Sequence, residues 1–362
     1  MNPIRIEVRS ERSTYPVLVG SGVLDGLGEL LRAHGLARDL AIVSCPPVWR
    51  FHGRRLRGLA GGNNPPTLIP DGERAKTLQT IARLYDAFLR RGLDRSSTIV
   101  AFGGGVVGDV AGFAAATFLR GLPFVQVPTT VLAQVDSAIG GKVGVNLASG
   151  KNLAGAFHPP SLVVCDPDVL ATLPRREFRA GLYEVVKYGV IASKPLFETV
   201  SSNLKTLFAH DSEVLTPLVA DCCRIKAEVV SADERESGPR RTLNFGHTIG
   251  HALEAVTKYR RFRHGEAIAY GMLAAARISA ARGTMSEDDE ARLKDLIVRM
   301  GPLPVVTDLR MSDTLDAVQH DKKVVDGKLH FVLANGLGAT SIVSDMTTME
   351  LKTALKAIGL KR

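Results

Sequence analysis

An α/β domain with a largely parallel sheet, followed by a mostly helical domain, is the fold class that this 362-residue sequence predicts. Three observations predict it. The length exceeds what one hydrophobic core ordinarily organises, so two domains are expected. From about residue 20 to residue 170, short apolar runs alternate with segments of helical periodicity, the pattern of strands joined by helical crossovers. Beyond Pro174, helical spacing of apolar residues recurs in one segment after another. The boundary is therefore set between residues 1–174 and residues 175–362.

The elements follow in order. Residues 3–9 (PIRIEVR) and 15–19 (YPVLV) alternate apolar and polar side chains, as half-buried strands do. DLAIVS (39–44) is a short apolar run that reads as a buried strand, and PTLIPDGE (66–73) reads as a strand ending in a polar turn. TLQTIARLYDAFLRRGL (77–93) carries a helical stripe and stops near Gly92. SSTIVAFGGG (96–105) is a strand running into glycines, GDVAGFAAATFLRG (108–121) a helix rich in small residues, and LPFVQVPTT (122–130) and SLVVCDP (161–167) are further strands. In the second domain, helices are expected over 178–192, 211–235, 244–258, 264–283 and 286–300.

Composition excludes several classes. Apolar residues make up 45% and charged residues 23%, which is ordinary for a globular chain and argues against disorder. No window reaches the roughly 18 uninterrupted apolar residues of a membrane span, and the N-terminus lacks the apolar core of a signal peptide. Cys45, Cys165, Cys222 and Cys223 form no CxxC pair, so neither a thiolate zinc site nor a disulfide framework is expected. A cytoplasmic location follows. The net charge of +9 fits general solubility or an anionic small substrate. The densest basic runs, RRLR (54–57) and RRFRH (260–264), lack interleaved aromatics or a nucleic-acid module, so neither a nucleic-acid nor a membrane partner is expected.

Three groups of residues point to chemistry. In FGGGVVGD (102–109), Gly103, Gly105 and Gly108 match GxGxxG between a strand and a helix. Glycines there let backbone N–H groups approach a pyrophosphate. The acidic residue that normally follows about 20 positions on is missing, because the chain reads VPTT there. Dinucleotide binding in a variant form and a plain tight turn both fit. Second, His247, His251 and His264 fall within eighteen residues, with Glu184 as a candidate carboxylate. Two histidines and one carboxylate would make a three-ligand catalytic zinc site, and spacing alone pairs His247 with His251 on one helical face. Third, Lys142, Lys151 and Asn152 lie among small residues, and Lys187, Lys226, Arg240, Asn244 and the Lys322–Lys323 pair follow, all suited to phosphate or carboxylate.

Taken together, GGGVVGDVAGFAAATFLRG (103–121), VPTTVLAQVDSAIGGKVGVN (127–146), KNLAGAFHPP (151–160), EVVKYG (184–189), NFGHTIGHALE (244–254), HGEAIAYGM (264–272) and DKK (321–323) closely resemble the 3-dehydroquinate synthase family. The resemblance implies an N-terminal Rossmann-like NAD-binding α/β domain, an all-α C-terminal domain carrying the metal, and a homodimer. It implies the metal ligands Glu184, His247 and His264, holding Zn2+ or Co2+. His251 then matches the proton-transfer histidine, with Glu236 as its carboxylate partner. NAD contacts map to Asp71, Glu73, Lys76, Gly105, Val106, Val107, Gly108, Asp109, Thr129, Thr130, Lys142, Lys151 and Thr172. Substrate contacts map to Arg120, Asp136, Lys142, Lys151, Asn152, Lys187, Lys226, Arg240, Asn244 and one of Lys322 or Lys323. Of these, Lys142, Lys187 and Asn152 are implied to act in catalysis as well, and Arg120 matches an arginine that reaches the neighbouring subunit's phosphate site.

The implied substrate is 3-deoxy-D-arabino-heptulosonate 7-phosphate, converted to 3-dehydroquinate and phosphate in the shikimate pathway to aromatic amino acids. The implied steps are oxidation, phosphate elimination, reduction and aldol closure. One segment departs from the family. After DLAIVS, where an acidic or amide side chain usually serves the adenosine, the chain reads Ser44-Cys45-Pro46-Pro47, which leaves Ser44 as the contact.

Overall fold

Short apolar runs in the first half of the chain become a seven-stranded sheet whose inner strands are buried on both faces. The computed structural model describes residues 3–10, 13–56, 59, 65–236, 238–319, 324–325 and 328–361. Up to residue 174 the regular elements are β1 (Ile4–Arg9), β2 (Thr14–Val19), α1 (Leu27–Ala33), β3 (Leu40–Ser44), α2 (Pro46–His52), β4 (Thr67–Leu68), α3 (Leu78–Arg90), β5 (Thr98–Gly103), α4 (Gly105–Thr117), β6 (Phe124–Pro128), β7 (Lys142–Leu147), β8 (Gly150–Phe157) and β9 (Leu162–Cys165). From residue 175 they are α5 (Arg175–Ala192), α6 (Lys194–Ser202), α7 (Leu204–Phe208), α8 (Ser212–Ala232), α9 (His247–Val256), α10 (His264–Ala281), α11 (Glu287–Met300) and α12 (Met311–Gln319). The short strands β10 (Val324–Val325), β11 (Lys328–Leu329), β12 (Phe331–Ala334) and β13 (Thr340–Val343) and the helix α13 (Thr348–Ala357) complete the set.

The main sheet has the order β1-β2-β9-β6-β5-β3-β4. Only β1 and β2 are antiparallel, and the remaining neighbours run parallel. Successive side chains of a strand point to opposite faces. Ala41, Val43, Ile99 and Ala101 meet α3 and α4 on one face, through Ile81, Leu84, Phe88, Val110 and Ala114. Leu40, Ile42, Val100 and Phe102 meet Leu24, Leu27 and Leu31 on the other. Burial on both sides is why these strands read as apolar runs and only the edge strand β1 alternates.

The chain divides into two compact units, Met1–Pro174 with Ala209–Glu234, and Arg175–Phe208 with Arg235–Arg362. One division falls at the expected 174/175, and a second segment crosses back. The segment 209–234 packs with the first unit, because α8 lies against β1 and against a π-helical turn at Ala133–Ser137. Its buried face includes Leu215, Leu218, Val219, Cys222 and Cys223. The second unit is also not all-helical: it adds the β12–β13 hairpin, with Phe331, Val332, Leu333 and Ala334 buried. Residues 142–157, polar and glycine-rich in sequence, form the β7–β8 hairpin. The helix expected to run to residue 121 stops at Thr117, since Leu119 and Arg120 take left-handed backbone angles (φ 50° and 69°).

The end of the second unit is fastened by a cap and a charge cluster. Thr347 Oγ1 accepts from Glu350 N–H at 3.2 Å, and Glu350 returns a bond to Thr347 N–H at 2.8 Å, a reciprocal cap on α13. Arg282, following α10, donates to both Glu350 oxygens and to Asp345. The Arg282 guanidinium holds the Glu350 carboxyl down at about 2, against the opposing effect of burial and with help from Thr347. This stabilisation is present above the ordinary value of 4.5 and is lost as pH falls through about 2. Thr347→Ala should cost about 1 kcal/mol by denaturant melts at pH 7. Arg282→Met should also destabilise at pH 7, and its deficit relative to wild type should shrink as melts are repeated from pH 4.5 towards pH 2.

Candidate active site

The residues singled out by sequence fall into two groups, one in each unit. In the first unit, β5 ends at Gly103 and α4 begins at Gly105, so the first N–H groups of α4 lack helical partners. A Cβ on Gly103 would lie 2.5 Å from Val107 Cγ2, and one on Gly108 2.7 Å from Gln126 Oε1, so in this turn a side chain at Gly103 would displace Val107 and one at Gly108 the amide end of Gln126. Directly behind it, Thr129 N–H donates to Gly103 O at 2.9 Å. Thr129 Oγ1 is buried and has no hydrogen-bond partner, and such a hydroxyl costs about 1–3 kcal/mol unless a ligand pairs with it. Thr130 Oγ1 accepts from Ala133 N–H at 3.2 Å.

The other first-unit candidates form a network. The Lys76 ammonium, 5% exposed, pairs with Asp109 and with the Asn152 side-chain oxygen. Burial pushes the Asp109 carboxyl above its usual range, against the pull of Lys76. Asn146 donates to Glu73 Oε1 at 2.8 Å and accepts from Asn152 N–H at 2.9 Å, while its own N–H donates to Lys76 O at 2.9 Å. Asn152 itself sits at φ 54°, a left-handed angle that asparagine tolerates better than most residues. The hairpin bearing Lys142, Lys151 and Asn152 is thus tied to the segment bearing Glu73 and Lys76. Lys226 pairs with Asp136, which α8 makes possible by returning to this unit. Arg120 is exposed in its left-handed turn, and Asp71 is exposed after β4.

The hydroxyls of Ser44 and Thr172 both have partners within the first unit. Ser44 is fully buried and gives its hydroxyl to Phe102 O at 2.7 Å, so it is spent on the sheet and offers no donor to a ligand. Thr172 donates to Val169 O at 3.1 Å, and His52 Nε2 lies 2.7 Å from its Oγ1. Burial and then the Arg55 guanidinium keep the His52 imidazole below its ordinary pKa. With the hydroxyl proton committed to Val169, the neutral ring donates through Nε2–H. No sequence signal marked His52, whose relation to Thr172 spans 120 positions.

In the second unit the helices α5, α9 and α10 bring four side chains together. Glu184 is fully buried on α5. Its Oε2 pairs with the Lys187 ammonium one turn on. Its Oε1 receives no hydrogen bond and lies 3.7 Å from His247 Nε2 and 3.6 Å from His264 Nε2. The His247 and His251 ring centroids are 5.4 Å apart, and those of His251 and His264 5.8 Å. The ligand atoms of the three histidines all fall within 4.8 Å of one another. Three donors each about 2.1 Å from a tetrahedral cation are separated by about 3.4 Å, so the spacing around Glu184 Oε1 suits such an ion. His247 Nδ1 faces Phe245 O at 3.1 Å and His264 Nδ1 faces Glu254 Oε2 at 3.2 Å. Both rings therefore hold a proton on Nδ1 and turn the Nε2 lone pair towards Glu184. For His264, burial opposes the charged form, but Glu254 and then Glu184 outweigh it and raise the pKa.

Close helix contacts create this geometry. A Cβ on Gly265 would lie 1.8 Å from Ala180 O, one turn before Glu184, and one on Gly271 would lie 1.8 Å from Gly246 O. Gly246 also holds φ 78°, which starts α9 at His247. Arg240 is buried in a 3-10 turn at Pro239–Asn244, and Asn244 Nδ2 donates to Glu236 Oε1, at a Glu236 φ of 62°. Lys322 and Lys323 lie outside the described residues. Among the described residues no helix is long and apolar enough to cross a membrane. Sequence reading assigned no role to Gly246, Gly271 or Glu254; Gly246 stands beside His247, but Gly271, between Tyr270 and Met272, carried no such signal.

The α/β unit with its glycine turn and the helical unit with its carboxylate–imidazole cluster are the architecture of the sugar-phosphate cyclases. The structure is similar to 2-epi-5-epi-valiolone synthase from Streptomyces hygroscopicus subsp. jinggangensis, solved with NAD+ and Zn2+ bound (TM-score 0.86, 29% identity, 98% of this chain and 99% of that one). It is also similar to 2-deoxy-scyllo-inosose synthase complexed with carbaglucose-6-phosphate, NAD+ and Co2+ (TM-score 0.82, 29% identity, with 98% and 99% covered). Within that class, the chain belongs to the 3-dehydroquinate synthase family: residues 66–180 match its N-terminal part and residues 181–324 its C-terminal part. The 3-dehydroquinate synthase of Geobacter metallireducens is 49% identical over 334 residues, covering 91% of this chain and 92% of the relative. That of Pelotomaculum thermopropionicum is 45% identical over 356 residues, covering 97% and 96%.

Gly265→Ala should push α10 away from α5 and separate His264 from Glu184. The expected outcome is a loss of about 1–3 kcal/mol in denaturant melts together with weaker divalent-metal binding by chelator competition. Unchanged stability would show that the contact with Ala180 does not set the helix spacing.

Proposed function

We propose that the protein is a 3-dehydroquinate synthase, converting 3-deoxy-D-arabino-heptulosonate 7-phosphate to 3-dehydroquinate and phosphate. The observation that carries the reading is the buried Glu184 Oε1, undonated to and spaced for a cation between His247 Nε2 and His264 Nε2. Family membership names the substrate. When bound, NAD supplies a hydride acceptor and donor, and a divalent cation supplies Lewis acidity at the hydroxyl being oxidised. Two imidazoles and one carboxylate are a catalytic donor set for a divalent cation, Zn2+ or Co2+, which Glu184, His247 and His264 would hold. The unpaired Thr129 hydroxyl and the free N–H groups at the start of α4 suit the cofactor's polar groups.

The chain's own residues divide the remaining work. Lys142 and Asn152 bind the phosphate, and in a homodimer the exposed Arg120 reaches the partner's phosphate site. Lys187, Lys226 and Arg240 neutralise the substrate carboxylate. Lys187 and Arg240 are almost wholly buried and Lys226 nearly so, which strengthens their pull on an anion by excluding water. His251 moves the proton of the hydroxyl being oxidised, while the carbon's hydride goes to NAD, with Glu236 as the partner of His251. Asn146 and Lys76 keep Asn152 in its left-handed conformation, so its amide is in place before substrate arrives.

The test follows phosphate release from the heptulosonate phosphate, with and without a chelator. We expect release that depends on metal and on catalytic NAD, with no net NADH. Accumulating NADH would instead indicate a metal-dependent alcohol dehydrogenase, and turnover of a different sugar phosphate another cyclase. His247→Ala and His264→Ala should each lose the metal and essentially all turnover. His251→Ala should retain metal and slow by about a hundredfold or more. Equal metal loss in all three variants would remove His251 from its proton-transfer role.

A further inference from the structure

We propose that Glu254 is a positioning residue of the metal centre: its carboxylate fixes His264 in the tautomer and ring orientation that present Nε2 to a divalent cation. The proposal deepens the ligand reading of His264 above and rests on it. Glu254 lies near the end of α9 and is 6% exposed, and a glutamate is seldom so buried unless its carboxylate is paired. Its Oε2 is 3.2 Å from His264 Nδ1. An ionised carboxylate only accepts, so the ring must donate through Nδ1–H, which leaves the lone pair on Nε2. That nitrogen is the one 3.6 Å from Glu184 Oε1.

His264 has special need of such a tether. It is the first residue of α10, and its side chain is 30% exposed, whereas Glu184 is fully enclosed. Burial alone therefore does not confine the ring. The connection between α9 and α10 reverses through Lys258 and Tyr259, both left-handed (φ 53° and 56°), and Tyr259 N–H donates to Glu254 O at 2.7 Å. The backbone of Glu254 is thus anchored to the same reversal that delivers His264. His247 solves the equivalent problem with a neutral partner, the Phe245 carbonyl. The two imidazoles are consequently unequal: one leans on a backbone dipole, the other on a full negative charge that raises its basicity as a ligand.

The experiment uses the full chain, stripped of metal, as wild type, Glu254→Gln and Glu254→Leu. Zn2+ affinity is measured by competition with a chromophoric chelator, and the visible spectrum of the Co2+-loaded protein is recorded. Circular dichroism and melts of the metal-free forms check the fold. Outer-shell partners of this kind change metal affinity by about 10–100-fold. Glu254→Leu should fall at the upper end of that range, with an altered Co2+ spectrum. Glu254→Gln, whose amide oxygen still accepts the Nδ1 proton, should fall at the lower end. A folded Glu254→Leu protein with wild-type affinity and spectrum overturns the proposal. If Glu254→Leu does not fold, wild-type affinity and spectrum in Glu254→Gln overturn it. A wild type that binds no divalent cation sinks the ligand reading of His264 itself, a result distinct from variants that bind as well as wild type.

Discussion

A carboxylate oxygen with no donor, enclosed in protein, is the constraint on which the second unit is built. Glu184 is fully buried, and its Oε1 faces two imidazole nitrogens rather than hydrogen-bond donors. An ionised group in that position is costly unless a positive charge compensates it. Lys187 supplies part of that charge at Oε2. The remainder falls to whatever occupies the space between Oε1, His247 and His264, and the proton placement on the two rings leaves electron pairs directed there. The site is prepared for a cation by the placement of protons as much as by the placement of carboxylate and imidazole.

Such preparation depends on helices approaching closer than side chains ordinarily allow. Gly265 lets the start of α10 meet the Ala180 carbonyl, and Gly246 and Gly271 meet each other. Glycine inside a helix costs about 1 kcal/mol relative to alanine, and Gly271 bears that cost within α10. The first unit follows the same logic with different parts. Its glycine turn packs tightly on Val107 at Gly103, and Asn146 and Lys76 hold the strained Asn152. In both units local conformational cost is concentrated where the chemistry is expected, and the surrounding core over-determines it.

Much of the fold was legible in the sequence because burial leaves a period. The strands at 40–44, 98–103, 124–128 and 162–165 all fall inside the apolar runs read from the chain, and α3, α5, α10 and α11 match their helical stripes. The β7–β8 hairpin was not legible. A Cβ on Gly144 would lie 2.5 Å from Ala154 O and one on Gly155 2.3 Å from Val143 O, so glycines needed for close backbone approach broke up a strand signal that only Val143 and Val145 carried. The return of α8 to the first unit was hidden for another reason: helical periodicity says that a face is buried, not against what. For the site, spacing brought His247 and His251 to one face correctly but is silent on proton placement. The Nδ1 partners of His247 and His264, one a carbonyl two residues away and the other a carboxylate ten residues away, are tertiary facts.

The central claim is that Glu184, His247 and His264, and not His251, grip one cation. Anomalous diffraction from crystals of the Zn2+-loaded protein tests it most directly. The account places a single ion about 2.0–2.2 Å from a Glu184 oxygen and from Nε2 of His247 and His264, with His251 outside bonding distance. An ion bound by His251 in place of Glu184, or lodged away from this cluster, would contradict it.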